Sequence, residues 1–222
     1  DLQFSSYQHL QDFKQKAEQF FAQQPKKAFR GRMNENSSGN NINNCQNTSD
    51  CFDCNDLRDC RFCTNMLLDA TDCYDIDIWG NTTSLAYNSA MIGLGCQQMI
   101  GNYYTCFDSH DIYHSAFCWQ GSSNLFGCVG LKHKEYCILN TQYSKEAYEQ
   151  LVPRIIEQMI AQGEWAEFFP AWTSPFGYNE TVAQEFFPLT KEQALEQGFY
   201  WSDYEAPRPA VKQVITAAEI TD

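Results

Sequence analysis

Residues 51–63 read "CFDCNDLRDCRFC", four cysteines spaced C-x2-C-x5-C-x2-C. Two C-x2-C pairs are the ordinary signature of a tetrahedral zinc site, each pair supplying two thiolates. Zinc ribbons, however, usually separate the pairs by about fifteen residues or more, and the gap here is only five. The neighbouring sequence changes the reading. Cys51, Cys73, Cys96 and Cys118 are separated by 22, 23 and 22 residues, and Cys137 follows after 19. Cut at these positions, the chain gives rows beginning "CFDCNDL", "CYDIDIW", "CQQMIGN", "CWQGSSN" and "CILNTQY". Cys106 and Cys128 form a second column, again 22 apart. Such a period, with short strand-like pieces and polar corners, predicts a mainly β fold: a short right-handed β-solenoid with coils near 22 residues. Cysteine suits its inward column because it is small, apolar and readily buried. Cys51 is then a core thiol. Cys51, Cys54, Cys60 and Cys63 remain the candidate metal set, with zinc as the alternative to a chain that needs no cofactor.

The flanks are helical. In "SSYQHLQDFKQKAEQFFAQQP", Tyr7, Leu10, Phe13, Ala17, Phe20 and Phe21 share one face, Ser5 or Ser6 caps the start and Pro25 ends it. A second stripe runs from Tyr148 through Leu151, Val152, Ile155, Ile156 and Met159 to Ile160, closed by Gly163, with a kink or restart expected at Pro153. "NETVAQEFF" reads as a helix capped by Asn179, and "TKEQALEQG" as one with a capping box from Thr190 to Gln193, closed by Gly198. The expected organisation is an N-terminal helical cap over 1–33, the cysteine-rich solenoid over 34–142, a helical C-terminal region over 143–206, and a tail or linker over 207–222. A solenoid exposes unpaired strand edges at its ends, and amphipathic helices are natural covers for them.

The net charge of −13 is uneven: +2 over residues 1–44, −7 over 45–143 and −8 over 144–222. Such a surface repels phosphate backbones, so nucleic acid is not an expected partner of this chain alone. No apolar run is long enough for a membrane span. The eleven cysteines are an odd number in a chain of 222 residues, which leans toward free thiols and a cytoplasmic setting rather than a small secreted disulfide scaffold. The opening "DLQF" is neither a methionine start nor a signal peptide, as expected of a fragment or a processed form.

Among the other candidates, "HDIYH" (His110 to His114) echoes the H-E-x-x-H of zinc proteases. That motif works on a helix, and an extended segment would hold the two rings roughly 13 Å apart. The row alignment sets Asp53, Asp75, Gln98 and Gln120 in one column, flanked by aromatics such as Tyr74 and Trp119. Pointing outward, this ladder would suit a sugar chain or a calcium ion. The competing reading is that Asp and Asn mark corners because they tolerate tight turns. The aromatic run Trp165, Phe168, Phe169, Trp172, Phe176, Tyr178, Phe186 and Phe187 is expected to pack the helical region onto a neighbouring surface.

"CYDIDIWGN", "LFGCVGLKHKEYCILNTQYSKEAYEQLVPRIIEQM", "GEWAEFFPAWTSPFGYNETVAQEFFPLTKEQALEQGF" and "WSDYE" resemble an uncharacterised cysteine-rich family of hypothetical proteins from candidate-phyla bacteria, over nearly the whole chain. Members often carry zinc ribbons beside the repeats, which this chain lacks, and Ala86 and Met99 stand where such repeats often have cysteine or another small residue. The resemblance implies the solenoid architecture and a bacterial origin, and it brings no catalytic residue. The expected function is a non-catalytic binding or scaffold module whose acidic solenoid face meets a protein or a further copy of the chain. The alternatives are a carbohydrate-binding or carbohydrate-active β-helix, and a structural metal-binding protein.

Overall fold

From Ile42 to Cys63 every third residue is buried: Ile42, Cys45, Thr48, Cys51, Cys54, Leu57, Cys60 and Cys63. The residue before each of them (Asn41, Asn44, Asn47, Asp50, Asp53, Asp56, Asp59 and Phe62) lies in the left-handed region, with φ between +52° and +59°. The unit of the fold is therefore three residues: a left-handed corner, an inward side chain and an outward one. Asn and Asp dominate these corners because they enter the left-handed region at lower cost than other L-residues. The computed structural model describes residues 7–204 together with 206, 207 and 215.

Four such units close one turn. Parallel pairing sets Gly39 beside Cys51 and Phe52 beside Thr64, twelve residues apart. It then sets Thr71 beside Ser84, Gln97, His110 and Ser123 in succession, thirteen apart. Among the described residues, thirteen short strands join in one sheet, and the solenoid makes about eight turns over residues 31–138. The expected 22-residue coil is thus corrected to one of 12 or 13 residues, after a first step of 11. A 22-residue step is one turn of 13 plus three further sides, so successive cysteines fall back one side each time. Cys51, Cys73, Cys96 and Cys118 lie on four different sides and form no column.

The inward residues make four columns. The first runs through Cys45, Leu57, Ala70, Thr83, Cys96, Ser109 and Ser122; the second through Thr48, Cys60, Cys73, Ala86, Met99, Ile112, Leu125 and Cys137. The third holds Cys51, Cys63, Ile76, Ser89, Asn102, Ser115 and Cys128, and the fourth Ile42, Cys54, Met66, Ile92, Thr105 and Cys118. With strands about 4.8 Å apart, each turn offers a thin slot for four side chains, which favours small and medium residues.

Hydrogen bonding explains why so many of these are cysteine, serine or threonine. Inward thiols donate to the carbonyl two residues back: Cys54 to Phe52 at 3.1 Å, Cys60 to Arg58 at 3.2 Å, Cys63 to Arg61 at 3.3 Å. Ser89 and Ser115 do the same to Tyr87 and Tyr113, each at 2.9 Å. The thirteenth residue of the longer turns enters at the corner before the first side, where two left-handed residues follow one another, as at Asn81–Thr82 and Phe107–Asp108. There the donation reaches three residues back: Thr83 to Gly80 at 3.0 Å, Cys96 to Gly93 at 3.0 Å, Ser109 to Cys106 at 3.0 Å, Ser122 to Trp119 at 2.9 Å. On the third side, inward side chains also accept from the next turn. Ser89 Oγ takes the Asn102 N–H at 3.0 Å, Asn102 Oδ1 the Ser115 N–H at 2.9 Å, and Ser115 Oγ the Cys128 N–H at 3.0 Å.

The C-terminal end of the stack is closed. Thr141–Gln142 turns back antiparallel on Glu135–Ile138. Helix α2 (Lys145–Gln162) then packs Tyr148 and Val152 against Phe126 and Ile138. Ser144 caps α2 by accepting from the Ala147 N–H, and Gly163 ends it at φ +73°. The helix runs through Pro153 without the expected restart. Trp165 stacks on Phe126 at 6.4 Å and 9° between planes.

The chain divides into two compact units, residues 29–175 and residues 1–28 with 176–222. In the latter, α1 (Tyr7–Ala22) has no buried residue. The expected Asn179-capped helix is replaced by a 3-10 turn at Tyr178–Glu180 and a short α3 (Ala183–Phe186). Asn179 instead clamps Ser202, accepting its N–H and donating to its carbonyl, each at 2.9 Å. Helix α4 (Lys191–Glu196) carries the expected Thr190–Gln193 capping box. The expected caps Ser5 and Ser6, and most of the expected tail over 207–222, lie outside the described residues.

Two stability predictions follow from the corner and the polar column. Leu85 is a left-handed corner at φ +54° and 55% exposed. Leu85→Asn is expected to raise the unfolding free energy by about 1 kcal/mol, whereas Asp59→Val lowers it by about 1–2 kcal/mol. Asn102→Ala removes the acceptor for Ser115 and the donor to the Ile112 carbonyl at 2.6 Å. Its expected cost is about 3 kcal/mol. Denaturant titration measures all three.

Candidate functional site

All eleven cysteines are free and buried. Within the expected metal set, Cys51 and Cys63 stack on the third side in successive turns, while Cys54 and Cys60 face inward from the fourth and second sides. Among the described residues, no group of three or more His, Cys, Asp or Glu is arranged to hold a metal ion. Hydrogen bonding to the Cys63 thiol lowers Cys51 and Cys60, whereas burial pushes Cys54 up to about 12, Cys96 to about 11, Cys106 to about 12 and Cys118 to about 11. Cys63 is raised by its hydrogen bonds with the Cys51 and Cys60 thiols and by burial. The raised thiols stay protonated at neutral pH, out of reach of solvent.

The expected outward ladder is not assembled. Asp53, Asp75, Gln98 and Gln120 are all left-handed corners, at φ +55°, +57°, +53° and +57°. The 12- and 13-residue register puts them at four different corners of the stack, which is the turn reading of such residues. Tyr74 and Trp119 likewise lie on different rows, Tyr74 pairing with Tyr87 and Trp119 with Cys106. Asp53 accepts instead from the Asn41 amide of the previous turn at 2.6 Å, and Asp56 from Asn44 at 2.7 Å. The acidic charge is not confined to one face either. Asp50, Asp53, Asp56 and Asp59 occupy four successive corners and ring the stack. Net charge is −6 over residues 45–77 and −1 over 78–143.

His110 and His114 also part company. His110 begins the strand His110–Tyr113 and contacts Asp111 through Nδ1 at 2.8 Å. His114 is a corner whose Nε2 accepts from the Ala166 N–H at 3.4 Å. Of the expected C-terminal aromatic run, Trp165 packs on Tyr113, His114 and Phe126. Trp172, Phe176, Phe186 and Phe187 are each more than 60% exposed, contrary to the packing expected of them.

The surface feature that the register does assemble is aromatic. Along the fourth side and its edges, Tyr103 meets Phe117 at 5.5 Å, Tyr104 meets Phe117 at 5.7 Å, and Tyr104 meets Trp119 at 5.4 Å. The Lys132 ammonium lies 4.7 Å from the Trp119 ring centre. Further along, Trp79 reaches Phe107 at 6.3 Å across Gly93, where a Cβ would come within 2.9 Å of the indole. Tyr103, Phe107 and Phe117 are 37–43% exposed. These rings are scattered through the sequence at 79, 103, 104, 107, 117 and 119 and only the 13-residue step brings them to one side. Tyr74 and Tyr87, 5.4 Å apart and met from the adjoining corner by Phe62 at 5.2 Å, lie on the row that Trp165 covers further along at Tyr113 and Phe126.

No protein-family model matches the chain, and no curated protein is significantly similar to it. Among the described residues, no helix is long and apolar enough to cross a membrane.

The thiol chemistry is directly measurable. The native protein at pH 8 is expected to take up almost no iodoacetamide over an hour, and the denatured, reduced protein eleven equivalents. Rapid native labelling of one cysteine would show an accessible thiol and contradict the burial.

Proposed function

We propose that this chain is a non-catalytic binding module that docks a protein partner on the aromatic fourth side of its solenoid. The observation that carries the reading is the run of mutually contacting rings Tyr103, Tyr104, Phe117 and Trp119, with Tyr103 and Phe117 exposed and Tyr104 and Trp119 half-buried at their base. Large rigid rings lose little conformational freedom on binding and form the anchors of protein interfaces. The carboxylate ring at Asp50, Asp53, Asp56 and Asp59 adds long-range attraction for a cationic partner rather than a second docking face. The bacterial, candidate-phyla affinity suggested by the quoted segments belongs to the same proposal.

A carbohydrate ligand is the second reading, favoured by the same rings, since sugars stack on aromatic faces. It draws no support from Asp53, Asp75, Gln98 and Gln120, which are dispersed over four corners. A photo-cross-linker placed at Phe117 is expected to give one dominant protein adduct from an extract of the encoding organism. The same group at Leu85, an exposed corner on another side, is expected to give none. A polysaccharide adduct at Phe117, with binding on a glycan array, would put the second reading first. Equal labelling at both positions would overturn both.

A further inference from the structure

Four thiols from three successive turns are neighbours in the solenoid interior. Cys51 neighbours Cys63, Cys63 neighbours Cys60, and Cys60 neighbours Cys73. The register explains two of these pairs. Phe52 beside Thr64 stacks Cys51 under Cys63 on the third side, and Arg61 beside Tyr74 stacks Cys60 under Cys73 on the second. Residues directly opposed on neighbouring parallel strands stand about 4.8 Å apart, inside the roughly 4.4–6.8 Å Cα separation that a disulfide spans. No other inward cysteine has this arrangement. The turn after Cys54 presents Met66, Cys45 is followed by Leu57, Cys96 lies between Thr83 and Ser109, and Cys128 follows Ser115. A path of four thiols has one complete pairing, and here it is also the pairing of stacked neighbours.

We infer that Cys51–Cys63 and Cys60–Cys73 are a matched pair of oxidation sites, able to close two disulfides that fasten successive turns from inside the solenoid. The oxidant required is a small disulfide such as oxidised glutathione, acting while the turns are still open. One cysteine thiolate attacks a glutathione sulfur, the glutathione S–S bond breaks and one glutathione thiolate leaves. The stacked cysteine, as thiolate, then attacks the mixed disulfide and releases the second glutathione. Two protein thiols are oxidised, one glutathione disulfide is reduced, and the released thiolates take up the two protons. The inference is independent of the aromatic docking side.

The test is to refold the full chain in a glutathione redox buffer, alkylate in denaturant and map the products by mass spectrometry. Cleavage before aspartate and after arginine puts Cys51, Cys54, Cys60, Cys63 and Cys73 on separate peptides. The expected result is two linked pairs, Cys51–Cys63 and Cys60–Cys73, with Cys54 alkylated and the denaturant midpoint raised above that of the reduced protein. In Cys51→Ser the Cys60–Cys73 link is expected to persist. Alkylation of all four thiols, a dominant Cys60–Cys63 link, or links through Cys54 would overturn the inference, and the wild-type map decides it even where the variant does not fold.

Discussion

Everything in this solenoid depends on a left-handed residue recurring every third position. One such residue turns the chain by a corner, and three residues are too few for any element other than one inward and one outward side chain between corners. Four corners close a turn, and parallel hydrogen bonding then fixes where the next turn lies. A backbone with so many positive φ angles would be costly if each were isolated. Here each corner is over-determined by its neighbours above and below. Amides of Asn41 and Asn44 reach the carboxylates of Asp53 and Asp56, so the side chains that make the corner affordable also tie it to the next one.

The cysteine content follows from the same geometry. A turn this small leaves inward carbonyls that welcome a short donor, and the slot limits how many large aliphatic side chains one turn can hold. Serine, threonine and cysteine all answer this demand. Cysteine alone does so without bringing a strongly hydrated group into the interior. The stretch that looks most like a metal site is therefore the most regular part of the core. The charge is equally a by-product of corners, since aspartate gathers where the left-handed region is visited most often.

Much of this was legible in the sequence. The solenoid class, the amphipathic α1, the α2 stripe closed by Gly163 and the Thr190 capping box all follow from local patterns that tertiary structure leaves intact. Coil length did not. Cysteine fills only some inward positions, with Thr48, Ser89, Asn102 and Ser115 filling others, so cysteine spacing alone beats against the true turn and returns 22. The missed cue was the run Asn41, Asn44, Asn47, Asp50, Asp53, Asp56, Asp59, whose step of three is the side itself. Past Cys73 the cue fades, because Leu85, Met91, Tyr104 and Phe117 take corners without an Asn or Asp signature. The aromatic side was beyond reach for the same reason, since residues such as Tyr104 and Phe117 become neighbours only once the 13-residue step is known.

The thirteenth residue has a mechanical consequence. Because each turn touches only the turns beside it, a pull along the axis loads the ladder one rung at a time. The doubled corner before the first side is where a turn carries its extra residue. Tension would therefore open the stack like a zip from an end, turn by turn, with the longer turns at the centre yielding a little before they part.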